Sequence, residues 1–203
     1  MTSRSAPSDA PSLEGNEVLV CVCGGIAAYK VCEVVSALVQ RGAGVTVAMT
    51  PSATRFVGPV TFQALTGRKV LTSLWHEDAA SEVAHIALTD FADLVLVAPA
   101  TANILGKIAG GIADEVVSTL VIGSACPVIL VPAMNPRMWM SAAVVANVET
   151  LKKRECRIID PGEGWLACRS TGPGRMAEPT DIVESITTIL RAEPPKRSSS
   201  VTR

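Results

Sequence analysis

Four short runs of strand formers, Val18–Cys23, Val45–Met49, Leu94–Ala98 and Val128–Val131, are spaced along the chain, and each gives way to a turn and helix-start residues. They are apolar at consecutive rather than alternate positions, the pattern of parallel strands covered on both faces. Parallel strands need crossovers, so strand–helix alternation throughout predicts a doubly wound, three-layer α/β sheet in a single domain. Of the 203 residues 48% are hydrophobic and only 3% aromatic. Aliphatic side chains therefore fill the interior, and the length suffices for one full core.

A net charge of −1 leaves no footprint for nucleic acid or an anionic membrane. Val116 to Pro136 is uncharged and long enough to cross a bilayer. Gly123-Ser124, Pro127 and Pro132 interrupt it, and it reads as helix, turn, buried strand and loop. The mean hydropathy of +0.36 is high for a monomer and points to a buried subunit interface. Of six cysteines none forms a C-x-x-C pair. Cys21 and Cys23 share one strand face, and they read with Cys32, Cys126 and Cys156 as small structural thiols. With no secretory segment, the expected compartment is reducing and cytoplasmic. Residues 1–17 and 192–203, rich in Ser and Pro, are expected to be disordered tails around a folded 18–191.

Candidate ligand groups gather where strands end, because open α/β sheets bind ligands at their carboxyl edge. Gly24-Gly25 turns the first strand into a helix; it suits a ligand at the helix N-terminus, or close strand–helix packing. Thr50-Pro51-Ser52 after the second strand offers hydroxyls and helix-start N–H groups, or simple capping. Thr101-Ala102-Asn103 follows the third. The three together on one edge suggest a phosphorylated planar cofactor. After the fourth strand, Pro132-Ala133-Met134-Asn135-Pro136-Arg137-Met138-Trp139 has two readings of equal weight. Asn135 either holds a carboxylate in a dry crevice or caps a helix with Pro136 at its first position. Residues 162–178, with five glycines and prolines by Gly174, are expected to form an irregular functional loop, and Cys168 is the one cysteine placed there. His85, in Val83-Ala84-His85-Ile86, is either structural or a proton-transfer group. His76, among charges, reads as exposed.

Four blocks resemble the flavin-dependent cysteine decarboxylases: Gly-Gly-Ile-Ala-Ala-Tyr-Lys from Gly24; Ala-Pro-Ala-Thr-Ala-Asn from Ala98 with the Gly-Lys-Ile-Ala-Gly-Gly segment from Gly106; Pro-Ala-Met-Asn with Met138-Trp139; and Leu166-Ala167-Cys168 with Gly-Arg-Met-Ala-Glu-Pro from Gly174. The similarity covers about 18–190. It implies a Rossmann-like or flavodoxin-like fold and FMN as cofactor, held by Gly24, Gly25, Ile26, Thr50, Pro51, Ser52, Thr101, Ala102, Asn103, Ile104 and Ala133. It further implies His85 and Cys168 as catalytic, with Asn135, Met138 and Ala167 on the substrate and residues 162–178 as a flap.

Within that family the coenzyme A branch fits best. It implies decarboxylation of 4′-phosphopantothenoylcysteine to 4′-phosphopantetheine by a homotrimer or a dodecamer built of trimers, without nucleic acid, membrane or metal. Oxidation of the cysteine unit to a thioaldehyde creates the electron sink for loss of carbon dioxide; Asn135 holds the departing carboxylate, and Cys168 gives a proton in the reductive half. Arg169 departs from the family, which usually has glycine after the flap cysteine; a position needing φ > 0 strains there. The synthetase half fused in many homologues is expected on another polypeptide. Two alternatives share the resemblance: a peptidyl-cysteine decarboxylase of lantibiotic maturation, which needs no Cys168, and a regulatory flavoprotein that binds a protein phosphatase, usually with long acidic extensions.

Overall fold

A computed structural model describes residues 11–75, 84–192 and 195–196, with 84–87 described in backbone only. Five parallel strands form one sheet: β1 (Glu17–Val22), β2 (Gly44–Met49), β3 (Leu94–Ala100), β4 (Val128–Pro132) and β5 (Arg157–Ile158), in the order β2-β1-β3-β4-β5. The strand order reverses between β1 and β3, which places a ligand crevice outside the carboxyl ends of those two strands.

Strand periodicity builds the three layers. Val18, Val20 and Val22 of β1 join Val45 and Val47 of β2, and Leu94 and Leu96 of β3, in one core, with α1 (Ala28–Gln40) and α8 (Pro179–Ala192). Leu19 and Cys21 join Val95, Val97 and Leu130 in the other, with α4 (Ala102–Gly110), α5 (Val116–Gly123) and α7 (Ala142–Lys153). Successive residues thus face opposite layers, so consecutive positions must all be apolar. In α1 the buried residues are Ala28, Val31, Val34, Val35 and Leu38, one helical stripe. Of the remaining helices, α2 (Pro59–Thr66) packs on α1 and α3 (Ala84–Phe91) on α5. Among the described residues no helix is long and apolar enough to cross a membrane; the uncharged Val116–Pro136 is α5, a turn and β4.

Four expectations shift. The N-terminal tail does not extend to residue 17. Leu13 is buried, its N–H donates to the Arg41 carbonyl (2.7 Å), and Glu17 opens β1 with a bidentate ion pair to Arg68 (2.6 and 3.1 Å). One leucine among Ser, Pro and Gly carries no periodicity, which is why pattern alone missed it. At the other end Ala192 still belongs to α8, and the Lys196 N–H donates to Asp93 (2.8 Å); residues 1–10, 193–194 and 197–203 lie outside the described residues, as does His76. The region after Ile159 is not irregular. Gly162–Trp165 (β6) and Thr171–Arg175 (β7) pair antiparallel as a separate ribbon. Gly and Pro are excluded from sheet interiors, but a two-stranded ribbon is all edge. Finally, Thr50–Ser52 leads into a single 3-10 turn, Ala53–Arg55, rather than an α-helix.

Candidate active site

At the carboxyl edge of β1 and β3 lies a cavity of about 530 Å³, lined by Gly24, Gly25, Thr50, Pro51, Ser52, Thr101, Ala102, Asn103, Ile104 and Ala133, with Cys23, Lys107, Glu115, Met134 and Met138. Each polar strand end contributes for a local reason. Gly24 abuts Ser52 so closely that an added Cβ would overlap the Ser52 side chain; glycine there lets two strand ends meet. The Thr50 hydroxyl accepts from the Ala53 N–H (3.1 Å), and the Thr101 hydroxyl accepts from the Ile104 N–H (3.3 Å) as N-cap of α4. A hydroxyl that accepts a cap bond keeps its own hydrogen to donate. The first N–H groups of α4, at Ala102 and Asn103, have no partner within the helix.

A second cavity, about 590 Å³, adjoins the first and shares Gly25, Ala133 and Met134 with it. Ile26, Ala27, Tyr29, Lys30, Asn135, Trp165, Leu166, Ala167, Cys168, Gly174, Arg175 and Met176 complete its wall. Asn135 caps the four-residue α6 (Pro136–Trp139): its Oδ1 accepts from the Met138 N–H at 2.9 Å. This orients the amide, because with the oxygen held by the helix the Nδ2 donors point away from it. The cavity's other side is the β6–β7 ribbon. Gly174 sits at φ +116 against Met134; its carbonyl accepts the Met134 N–H (3.0 Å), and a Cβ would strike the Met134 carbonyl. The ribbon is thereby bonded through main chain to the loop that carries Asn135. At its tip Cys168 is exposed, 3.1 Å from the Ser170 hydroxyl, and Arg169 stands at φ +60.

Comparison with known proteins decides the family. Residues 7–191 match the Flavoprotein family. The chain belongs to the flavoprotein family. This flavoprotein is 48% identical over 172 residues to the coenzyme A biosynthesis bifunctional protein CoaBC of Bacillus subtilis (strain 168), covering 85% of the chain and 42% of that relative. It spans, then, about two fifths of the relative's length. Among solved structures it is similar to a serine-for-cysteine mutant of PPC decarboxylase complexed with pantothenoylaminoethenethiol (TM-score 0.78, 27% identity, 87% of this chain and 98% of that one). It is also similar to the FMN-dependent cysteine decarboxylase SpaF (TM-score 0.74, 33% identity, 87% and 96%).

The fold brings most of the residues singled out from the flavoprotein's sequence to these two cavities. Ile26 lines the second rather than the first, and Met138 the first rather than the second. His85 lies in α3, and its side chain is outside the described residues. Sequence reading assigned no role to Lys107 and Glu115 on the first wall, or to Tyr29, Lys30, Trp165 and Arg175 on the second. Lys30, Lys107 and Arg175 fall inside the family blocks, which was the available signal. Glu115 belongs to a capping box with Ser118 that starts α5. Lys107 pairs with Asp114 at 2.7 Å, and that hydrogen bond holds the Asp114 carboxyl below its usual range. Burial pushes the Cys21 and Cys23 thiols well up, Cys32, Cys126 and Cys156 also upward, leaving them protonated and unreactive near neutrality.

Proposed function

We propose that this flavoprotein decarboxylates 4′-phosphopantothenoylcysteine to 4′-phosphopantetheine in coenzyme A biosynthesis, with FMN as cofactor. The observation that carries this reading is the pair of adjoining cavities. One is built of polar strand ends, the other presents Asn135 and Cys168, and they share the wall Gly25, Ala133 and Met134. The first fits FMN by its chemistry: the glycine approach at Gly24, donor hydroxyls at Thr50 and Thr101, and the open N-terminus of α4 for a phosphate. Gly24, Gly25, Thr50–Ser52, Thr101–Ile104 and Ala133 would hold it. FMN bound there supplies a two-electron oxidation and the later reduction.

The chain's own residues bind, orient and protonate. The Asn135 Nδ2 donors hold the cysteine carboxylate while its oxygen stays on the helix cap. The apolar neighbours Ala133, Met134, Leu166 and Ala167 keep water from that contact and strengthen it. Loss of carbon dioxide leaves an ene-thiolate, and Cys168 on the ribbon tip supplies the proton of the reductive half. His85 is assigned the handling of the substrate thiol proton. The PPC decarboxylase relative that lacks one cysteine holds an ethenethiol, the compound expected when oxidative decarboxylation has run and reduction has not. That supports Cys168 as proton donor. The exposed Ile26 and Tyr29 on the cavity wall support burial against a further copy of the chain, in keeping with the homotrimer that the resemblance implies, and the proposed activity supports a cytoplasmic location.

A second reading, decarboxylation of a peptide's cysteine, draws support from the 33% identity to SpaF but leaves Cys168 without a use. The deciding experiment is incubation of the FMN-loaded protein with 4′-phosphopantothenoylcysteine and mass analysis of the product. Wild type is expected to form 4′-phosphopantetheine, and Cys168→Ser to accumulate the ene-thiol. Full turnover by Cys168→Ser removes the cysteine from the mechanism; a protein that takes up no FMN ends the reading.

A further inference from the structure

Lys107 is a charged group on the wall of the first cavity that the reaction above leaves without a task. It lies one turn beyond Asn103 on α4, and Asn103, Ile104 and Lys107 line the cavity together, as residues three and four apart on one helix face do. Among the described residues it is the one cation on that wall. Its ammonium lies 2.7 Å from Asp114 Oδ1; the lysine side chain is 20% exposed and the aspartate side chain 56%. Asp114 does not line the cavity. The lysine is thus held mostly out of water by an anion that faces solvent. An ammonium has three N–H groups, and Asp114 engages one. Glu115 is the one anion on the wall, but its oxygens accept the Ser118 and Val117 N–H groups at the start of α5 (3.0 and 3.3 Å). Its charge is set against the positive end of that helix. Both charges are felt inside the cavity. The Cys23 thiol on the same wall is pushed up first by burial and next by Glu115, and is drawn back by a Thr101 main-chain hydrogen bond and by the Lys107 charge.

The proposed reaction changes the charge held in this cavity. Oxidation of the substrate's thiol carbon to a thioaldehyde releases two electrons and two protons. A hydride equivalent, two electrons with one proton, passes to the neutral cofactor ring, and the other proton leaves from the thiol. The ring therefore gains one negative charge, and loses it when the hydride returns in the reductive half. A fixed cation on the wall stabilises the charged form over the neutral one, and its burial keeps water and salt from screening it. The phosphate of FMN carries the same charge in both states, and the Thr50 and Thr101 hydroxyls and the start of α4 already offer it donors. We infer that Lys107 holds the negative charge of the two-electron-reduced cofactor, with Asp114 as the positioning residue that fixes the lysine side chain. This rests on the FMN reading above and adds how the chain keeps the electron pair between the two halves of the reaction. Charge placed near a flavin is one of the means by which a protein tunes it.

The test is the midpoint potential of bound FMN by anaerobic redox titration, together with binding of oxidised FMN and of riboflavin by fluorescence quenching. The proteins are wild type, Lys107→Met, Lys107→Gln, Lys107→Arg and Lys152→Met, the last an exposed cation on α7. Lys107→Met and Lys107→Gln are expected to bind oxidised FMN as wild type does. Their preference for the reduced over the oxidised cofactor falls by about tenfold, the effect of one partly neutralised charge, which is about 30 mV lower for a two-electron couple. Lys107→Arg and Lys152→Met keep the wild-type potential. A fall under about twofold in both neutral variants, or an equal fall in Lys152→Met, overturns the inference. Loss of FMN binding with riboflavin binding kept assigns Lys107 to the phosphate, and loss of both ligands in both neutral variants makes it a structural residue; either result overturns it too. Wild type that takes up no FMN fails the cofactor reading, whereas FMN uptake with an unmoved potential in the neutral variants fails this inference alone.

Discussion

Asn135→Asp separates the helix cap of Asn135 from its proposed contact with the substrate carboxylate. The cap survives the change, because a carboxylate oxygen accepts the Met138 N–H as an amide oxygen does, and Asn and Asp are equivalent N-caps. Asn135→Asp should thus leave the melting temperature within about 1 °C, whereas Asn135→Ala, which loses the cap worth about 1 kcal/mol, lowers it by about 3 °C. Substrate binding responds in the opposite order. The Nδ2 donors vanish, removing a hydrogen bond to a carboxylate worth about 2 kcal/mol. A second carboxylate arrives in their place: at about 4 Å and an effective dielectric near 20, its repulsion of the substrate carboxylate is about 4 kcal/mol. Together these predict a fall in kcat/KM of about 10⁴-fold, and at least about 10³-fold after solvent relaxation. Asn135→Ala loses only the first part, about 30-fold. The assay is steady-state carbon dioxide release with thermal melts on the same preparations. Asn135→Asp with kcat/KM within tenfold of wild type refutes the reasoning and leaves Asn135 as a helix cap alone.

Gly174→Ala is expected to undock the ribbon. Strain at φ +116, the clash with the Met134 carbonyl and loss of the Met134 N–H bond sum to about 3 kcal/mol, read as roughly 100-fold faster amide exchange confined to 162–175. Unchanged exchange there refutes the docking. Arg169→Gly removes left-handed strain at φ +60 worth about 1 kcal/mol and should slow exchange at the ribbon tip; faster exchange counts against it. Alkylation of the native protein at about pH 8 should label Cys168 first, since thiolates react and burial keeps Cys21 and Cys23 protonated; early label on Cys21 or Cys23 contradicts their placement.

Much of the architecture was legible because its cause is local and periodic. Consecutive apolar residues at Val18–Cys23 and Leu94–Ala98 mean two covered faces, and the stripe Val31, Val34, Val35, Leu38 means one. Residues at strand ends were legible because every parallel strand delivers its carboxyl end to the same edge, so Gly24, Thr50 and Thr101 had to be neighbours. Leu13 was missed because one apolar residue has no period, and the β6–β7 ribbon because glycine and proline read as breakers until an edge-only pairing makes them tolerable.

The residues alone determined the three-layer sheet, the polar rim at its carboxyl edge and the motifs that mark the flavoprotein family. They could not decide between Asn135 as cap and Asn135 as donor, since both use the same side chain. Tertiary structure makes the two compatible: the cap bond uses the Asn135 oxygen, and the residue lies on the wall of the second cavity. It also decided that the Cys168 ribbon is bonded to the Asn135 loop, and that Lys30 and Arg175 on the wall of the second cavity share one partner, Glu178, up to 148 positions away. Such contacts arise from how elements pack against one another, and packing across long sequence separation leaves no periodic trace in the chain.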